Sequence, residues 1–313
     1  MSSLQSTPAV SIIMSIYDGA ATVEPAVRSV VNQTLADWEL VLIDDGSRDD
    51  GANRIAKFDD PRIRIVRHDE RKGLASRLNE AVRLARGSFI ARMDADDICY
   101  PDRLRAQLDF LQANPDVDLV ASKALVFRGA GEVVGVMAPP LAHEDIVARP
   151  YNGFVFPHPT WCGRAAWFRK HKYDEAMPIT QDQELLLRTA KHSRFAAIDR
   201  ILLGYRKDTI NLSKSARGRL LYLRALWRQT GKSGGKHRAI AYVARHIAIF
   251  SADALAIGVR AEEWLLQRKI IAELTGEEAA QWRALWDGVN AAGGAGLGAR
   301  VQAVSTIEQK RRS

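Results

Sequence analysis

Between Val10 and Met93 the chain repeats one pattern: a short, nearly continuous apolar run that ends in polar or charged residues, followed by a segment with helical spacing. The runs are Val10 to Ile16, Glu39 to Asp45, Ile63 to Val66 and Phe89 to Met93. The helical segments are Thr22 to Gln33, with Thr22 as the expected cap, Asp50 to Phe58, and Leu74 to Ala85. Runs that are apolar on both faces suit buried parallel strands. The order β-α-β-α-β-α-β therefore predicts an α/β fold with a doubly wound sheet. Ligands of such sheets bind beyond the carboxyl ends of the strands. The unusual residues fall there: Ser15, Tyr17 and Asp18 after the first run, Asp44 and Asp45 after the second, Arg67 and His68 after the third, and Asp94, Asp96 and Asp97 after the fourth. Taken singly, each is also an ordinary strand-end turn or helix cap; four together point to one site.

The acids after the fourth run constrain chemistry most. Three carboxylates in four positions are costly to bury without a counter-charge, and a divalent metal carrying a diphosphate is one partner that would supply it. The alternative is a solvated turn capping the helix that begins near Pro101. The glycine fingerprints GxGxxG and GxxxxGK[ST] are absent after the first run, and Gly231-Lys232-Ser233-Gly234 is only a fragment of the latter. A dehydrogenase or P-loop enzyme is thus disfavoured. The cysteines, Cys99 and Cys162, make neither a disulfide framework nor a paired zinc spacing. Met1 to Pro8 lacks a basic region followed by a long apolar stretch, so no signal peptide is expected and a cytoplasmic location is. The longest apolar region, Ala239 to Phe250, is broken by Arg245 and His246 and is too short to span a bilayer.

The order and spacing of Pro8 to Tyr17, Ser29 to Thr34, Glu39 to Ser47, Gly73-Leu-Ala, Gly87 to Ile90 and Asp94-Ala-Asp-Asp97 resemble the family 2 glycosyltransferases of the GT-A fold, over about residues 8–212. The resemblance implies a Rossmann-like, mostly parallel central sheet with flanking helices, and an inverting transferase that uses a nucleotide sugar with Mn²⁺ or Mg²⁺. It implies that Asp45 pairs with a uracil edge, that Ser15 and Tyr17 line the nucleotide, and that Arg77 contacts the base; a solvated helix face is the other reading of Arg77. Asp94 matches the first acid of the DXD motif, near ribose or sugar. Asp96 matches the metal ligand, with Asp97 as the neighbouring acid that takes the metal in some relatives. Asp182, in Thr180 to Arg188, matches the general base, although Gln181 stands where the family usually has Glu. Two further departures are Asp18 for the usual Asn and Asp208 where His is common. The second leaves a further metal ligand open and turns attention to Arg206 and Lys207 as offsets for phosphate charge.

Later segments read as a helix from Pro101 to Asn114, a strand from Asp118 to Phe127, a turn at Gly129 and a second strand from Val133. The proline-rich stretch from Pro139 to Pro159 is expected to be irregular and to line the acceptor side, followed by a helix from Arg164. A boundary is expected near residue 212, separating a catalytic region, 1–212, from a basic helical region, 213–313. In the latter, Leu220, Leu223 and Trp227 are expected to share one face of a helix, and Trp282 and Trp286 to mark a further helix. Residues 213–260 hold ten basic side chains against one acid, so essentially all of the formal charge of +8 lies there. That suits an anionic membrane surface, or a helical subdomain packed on the catalytic region or on a second subunit. No nucleic-acid-binding module accompanies the charge. The expected acceptor is a saccharide or lipid-linked saccharide, joined by single additions. Rival readings are a sugar-phosphate nucleotidyltransferase, which would need a glycine-rich, Arg-containing loop after the first run, and a catalytically idle membrane or partner adaptor.

Overall fold

The computed structural model describes residues 7–208, 212–231 and 274–291, together with Arg245, Ala248, Ile249 and Ser251. Helical spacing also predicts helices over residues 240–250 and around Trp264 and Ile271, with a glycine break from Gly293 to Gly298 and a basic tail after it; these lie largely or wholly outside the described residues.

The first half follows the alternation: β1 (Val10–Ile16), α1 (Val23–Val31), β2 (Trp38–Asp44), α2 (Gly51–Ala56), β3 (Ile63–Arg67), α3 (Leu74–Leu84) and β4 (Phe89–Arg92). Thr22 precedes α1 but does not cap it with its side chain; its hydroxyl donates to the Gly19 carbonyl at 3.4 Å instead. The chain continues through β5 (Ile98–Cys99), α4 (Arg103–Ala113), β6 (Leu119–Arg128), β7 (Glu132–Met137) and α5 (His143–Val147). It closes with β8 (Cys162–Arg164), α6 (Ala165–Lys170), α7 (Gln181–Thr189), β9 (Phe195–Arg206), α8 (Leu212–Gly231) and α9 (Gly276–Asn290).

The strands form one sheet in the order β3-β2-β1-β4-β8-β6-β9-β5, with β7 paired to β6. β3, β2, β1 and β4 run parallel, whereas β8 is antiparallel to both β4 and β6, and β9 is parallel to β6. Parallel register brings the ends of the first four strands to one edge, with Ile16 beside Asp44, Asp44 beside Arg67, and Ile13 beside Arg92.

Period-two alternation sends side chains into two apolar layers. Ile12, Met14, Leu40 and Leu42 join α1 and α4 on one face; Ile13, Val41, Ile43 and Ile90 join α3, α6 and α7 on the other. A third cluster covers the far end of the sheet, where Trp282, Leu285 and Val289 of α9 pack on Ile98, Tyr100, Leu125 and Phe127. α9 begins with a capping box between Thr275 and Glu278. It approaches so closely that a Cβ at Gly204 would stand 2.4 Å from Trp282, and one at Gly131, whose φ is +95°, 2.6 Å from Trp286. α9 thus rests on the sheet itself, and Arg28 of α1 donates to the Val289 carbonyl at 2.8 Å.

α8 turns a different stripe inward. Its buried positions are Gly218, Tyr222, Ala225 and Leu226, while Leu220 and Trp227 are 60 % and 52 % exposed. The contact runs through a glycine: a Cβ at Gly218 would lie 3.2 Å from Ile179 and 3.3 Å from Thr180, at the start of α7.

Candidate functional site

The common edge of β1, β2 and β4 carries the candidate nucleotide side. Ser15 is half-buried at the end of β1, and the exposed Tyr17 ring lies under the Arg71 guanidinium, 3.8 Å from its centroid. Asp18 follows with φ +49°, a left-handed conformation that Asp tolerates better than most residues. Asp45 is buried and accepts from the backbone N–H of Lys72 at 2.7 Å, that of Gly73 at 2.8 Å and Arg77 Nε at 2.7 Å. It thereby ties the 70–73 loop and the start of α3 to the end of β2. A carboxylate offers about four lone-pair sites, so Asp45 retains acceptor capacity. Arg77 is not on a solvated face: it is buried, and its other nitrogens reach Glu80 Oε2 at 3.1 Å and the Glu70 carbonyl at 2.6 Å.

The acids after β4 converge. Oxygen atoms of Asp94, Asp96 and Asp97 lie within 4.8 Å of one another. Asp97 is fully buried; its Oδ1 accepts from the Arg206 backbone N–H at 2.9 Å, while its Oδ2 has no partner. Desolvation, added to the neighbouring charge of Asp94, pushes Asp96 up to about 6. Desolvation and the charges of Asp96 and Asp94 push Asp97 well above the usual carboxylate range. An all-oxygen group with an orphaned buried acceptor fits a hard divalent cation.

Arg206 closes the turn from outside. Its Nε donates to the Asp96 carbonyl at 3.2 Å and its Nη1 to the Gly129 carbonyl at 2.9 Å, and it stacks 4.7 Å from the Phe127 ring centroid and 5.7 Å from that of Trp286. Asp208, standing where His was the common residue, accepts from the Gly129 N–H at 2.8 Å.

Asp182 sits in the first turn of α7, whose preceding residue, Thr180, has φ +65°. Asp18 and Thr180 are the non-glycine residues of positive φ among the described residues, and both border this cleft. Burial raises the pKa of Asp182, against a 3.3 Å bond from Gln183 Nε2. Glu184 pairs with Arg188 at 2.8 Å and serves the helix.

One residue at the centre was not singled out from the sequence. Arg92, the last residue of β4, is 2 % exposed, and its Nη2 bonds Asp94 Oδ1. Its charge also acts on Asp97, Asp182, Tyr173 and His158. Its Nε and Nη1 have no partner. Leaving a buried donor unsatisfied costs about 1–3 kcal/mol, more when it is charged. Beside it, His158 Nε2 and the Tyr173 hydroxyl lie 2.9 Å apart, and burial next to Arg92 lowers the His158 pKa so that the ring is neutral. The available signal was alternation: Ile90 and Arg92 face the same layer, and an arginine is unusual at an inward strand position.

Comparison with known proteins identifies the family and the fold. Residues 11–172 match the sequence model of Glycosyl transferase family 2. EpsE of Bacillus subtilis (strain 168), described as a glycosyltransferase, is 36 % identical over 186 residues, which cover 58 % of this chain and 65 % of that protein. The UDP-Glc:alpha-D-GlcNAc-diphosphoundecaprenol beta-1,3-glucosyltransferase WfgD of Escherichia coli is 38 % identical over 105 residues, covering 34 % of this chain and 42 % of that one. The chain therefore spans less than two thirds of either relative. The fold is that of S. aureus TarS 1–349 crystallised with UDP: TM-score 0.58 at 15 % identity, over 90 % of this chain and 80 % of that one. On its sequence match and its GT-A architecture together, the chain belongs to glycosyl transferase family 2.

Proposed function

We propose that this protein transfers a single sugar from a UDP-sugar to a saccharide or lipid-linked saccharide, inverting the anomeric carbon, in surface polysaccharide or glycolipid synthesis at the cytoplasmic face of a membrane. The observation that carries the reading is the acid group after β4, with an unpartnered buried oxygen on Asp97 among three converging carboxylates. TarS has been crystallised with UDP and with UDP-GlcNAc, which supports a nucleotide-sugar donor.

In this reading Ser15, Tyr17, Asp45 and Arg77 form the nucleotide side, with Tyr17 offering a ring face and Asp45 its remaining acceptor capacity. Asp94 faces the ribose or sugar. Asp96 and Asp97 would hold Mn²⁺ or Mg²⁺, which when bound supplies Lewis-acid stabilisation of the departing diphosphate. Asp182 takes the proton from the acceptor hydroxyl, and its raised pKa makes it a stronger base than an exposed aspartate. The acceptor is carried on an anionic membrane surface, a reading supported by the outward stripe of α8, Leu220, Arg224, Trp227 and Arg228.

The test is thermal unfolding with Mn²⁺ and a panel of UDP-, GDP- and TDP-sugars. A ligand at a hundred times its Kd stabilises the native state by about 2.7 kcal/mol, so a UDP-sugar should raise Tm clearly while GDP-sugars do not. If no nucleotide sugar raised Tm, the reading would fail. Asp182→Asn should keep the UDP-sugar shift while acceptor-dependent UDP release falls roughly 10²–10⁴-fold.

A further inference from the structure

Three buried arginines surround the strand ends, and they differ in one respect. Arg103, with no exposed surface, uses Nε on Gln107 Oε1 at 3.1 Å, Nη1 on Cys99 Sγ at 3.3 Å, and Nη2 on the Arg92 and Pro159 carbonyls at 2.7 and 2.8 Å. Arg77 likewise uses every nitrogen, on Asp45, Glu80 and Glu70. Both are complete without a ligand. Arg92 bonds only Asp94, leaving Nε and Nη1 empty. Among the described residues, the buried charged groups with an unpartnered atom are Arg92 and Asp97, and both belong to this cleft. Asp97 lacks a cation; by the same logic Arg92 lacks oxygen acceptors.

Position says which oxygens these are. Arg92 ends β4 on the side that Ile90 shares with α7, bonds Asp94 just beyond its own strand, and acts through its charge on Asp182 in the first turn of α7. The nucleotide side, at Tyr17, Asp45 and Arg77, belongs to β1, β2 and α3. In the donor reading above, on which this inference rests, the group between the acids that face the diphosphate and the base that serves the acceptor is the transferred sugar. Its hydroxyls are acceptors, and a guanidinium presents donors in a fixed fork that selects their positions.

We propose that Arg92 is a sugar-reading residue: its Nε and Nη1 donate to hydroxyl oxygens of the donor's glycosyl group, so that it sets which sugar is accepted and not which nucleotide. Its bond to Asp94 holds the fork in place, and the His158 and Tyr173 pair lies near enough for the charge of Arg92 to act on both.

Arg92→Lys keeps the charge and loses the fork; Arg92→Met keeps the length and loses both. Calorimetric titration with Mn²⁺ should find UDP bound within about twofold of wild type by both variants, while the preferred UDP-sugar loses roughly 10- to 100-fold, as for a lost charge-assisted hydrogen bond. The affinity ratio between UDP-glucose and UDP-galactose, which differ in one hydroxyl configuration, should move toward one. Equal losses of UDP and UDP-sugar would overturn the proposal, because Arg92 would then act through Asp94 on nucleotide and metal binding. Unchanged UDP-sugar affinity in Arg92→Lys, with a wild-type chain that binds it, would overturn the proposal alone. A wild-type chain that bound UDP but no UDP-sugar would overturn the donor reading and this inference together. Should Arg92→Met fail to fold by its melting profile, Arg92→Lys decides.

Discussion

Asp96 and Asp97 are kept in a folded environment that disfavours their charge, and this has a sign. Both folded pKa values are raised, so the contribution each acid makes to stability is fully present below the unfolded value of 3.8 and is lost as pH rises through its folded pKa, which for Asp96 is about 6. The metal-free protein should therefore lose Tm between pH 4.5 and 7 from this source. The Tm gained on adding Mn²⁺ should grow over the same interval, because the cation competes with protons. Replacing both acids by Asn should flatten both trends, and scanning calorimetry with and without metal at several pH values checks this. Residues of this kind were legible in the sequence because acids crowded after an apolar run have few structural uses. Arg92 was not, since one inward-facing arginine at the end of a four-residue strand is a weak signal until its burial and empty donors are known.

At the scale of elements, the parallel half was legible because each strand is long, apolar and separated by an amphipathic helix. In the antiparallel half β6, the turn at Gly129 and β7 were legible as well, whereas β5, β8 and β9 were not. β8 has three residues, β5 has two, and β9 is interrupted by register shifts where it pairs with Ser122 to Ala124. Such segments carry too little periodicity to register. In α8 the contact with α7 is made through Gly218, so its buried stripe is not its most apolar one. α9 was expected from its tryptophans, but its use was not. Through Trp286 it backs the guanidinium of Arg206, which spans the Asp96 and Gly129 carbonyls. A cation–π contact contributes about 0.5–2 kcal/mol. Trp286→Ala should accordingly weaken Mn²⁺ binding by about 3- to 10-fold, with Trp286→Phe restoring most of it, as read by the electron spin resonance of free Mn²⁺.

For the whole molecule, formal positive charge is concentrated in residues 213–260. Among the described residues, no helix is long and apolar enough to cross a membrane. The outward side of α8 instead sets Leu220 and Trp227 among Arg217, Arg224 and Arg228, beside the helix that carries Asp182. A basic side chain near an anionic bilayer contributes about 1 kcal/mol. The pair Arg224→Glu and Trp227→Ala should thus reduce co-sedimentation with phosphatidylglycerol vesicles roughly tenfold or more, leaving the weak binding to phosphatidylcholine unchanged. Equal binding by variant and wild type would remove α8 from any membrane role.

The seat of α9 also fixes an order of events during synthesis. Arg28 in the first helix is bonded to the carbonyl of Val289, 261 residues later. At about 5–20 residues per second, the ribosome needs roughly 13–50 s to deliver that partner. Over roughly the last 8–32 s of that interval, once Phe127 has been made, Tyr100, Leu125 and Phe127 stand without the cover that α9 gives them. The nascent chain therefore holds a nearly complete Rossmann-like sheet with one raw apolar end, and that end is where a chaperone has the most to shield.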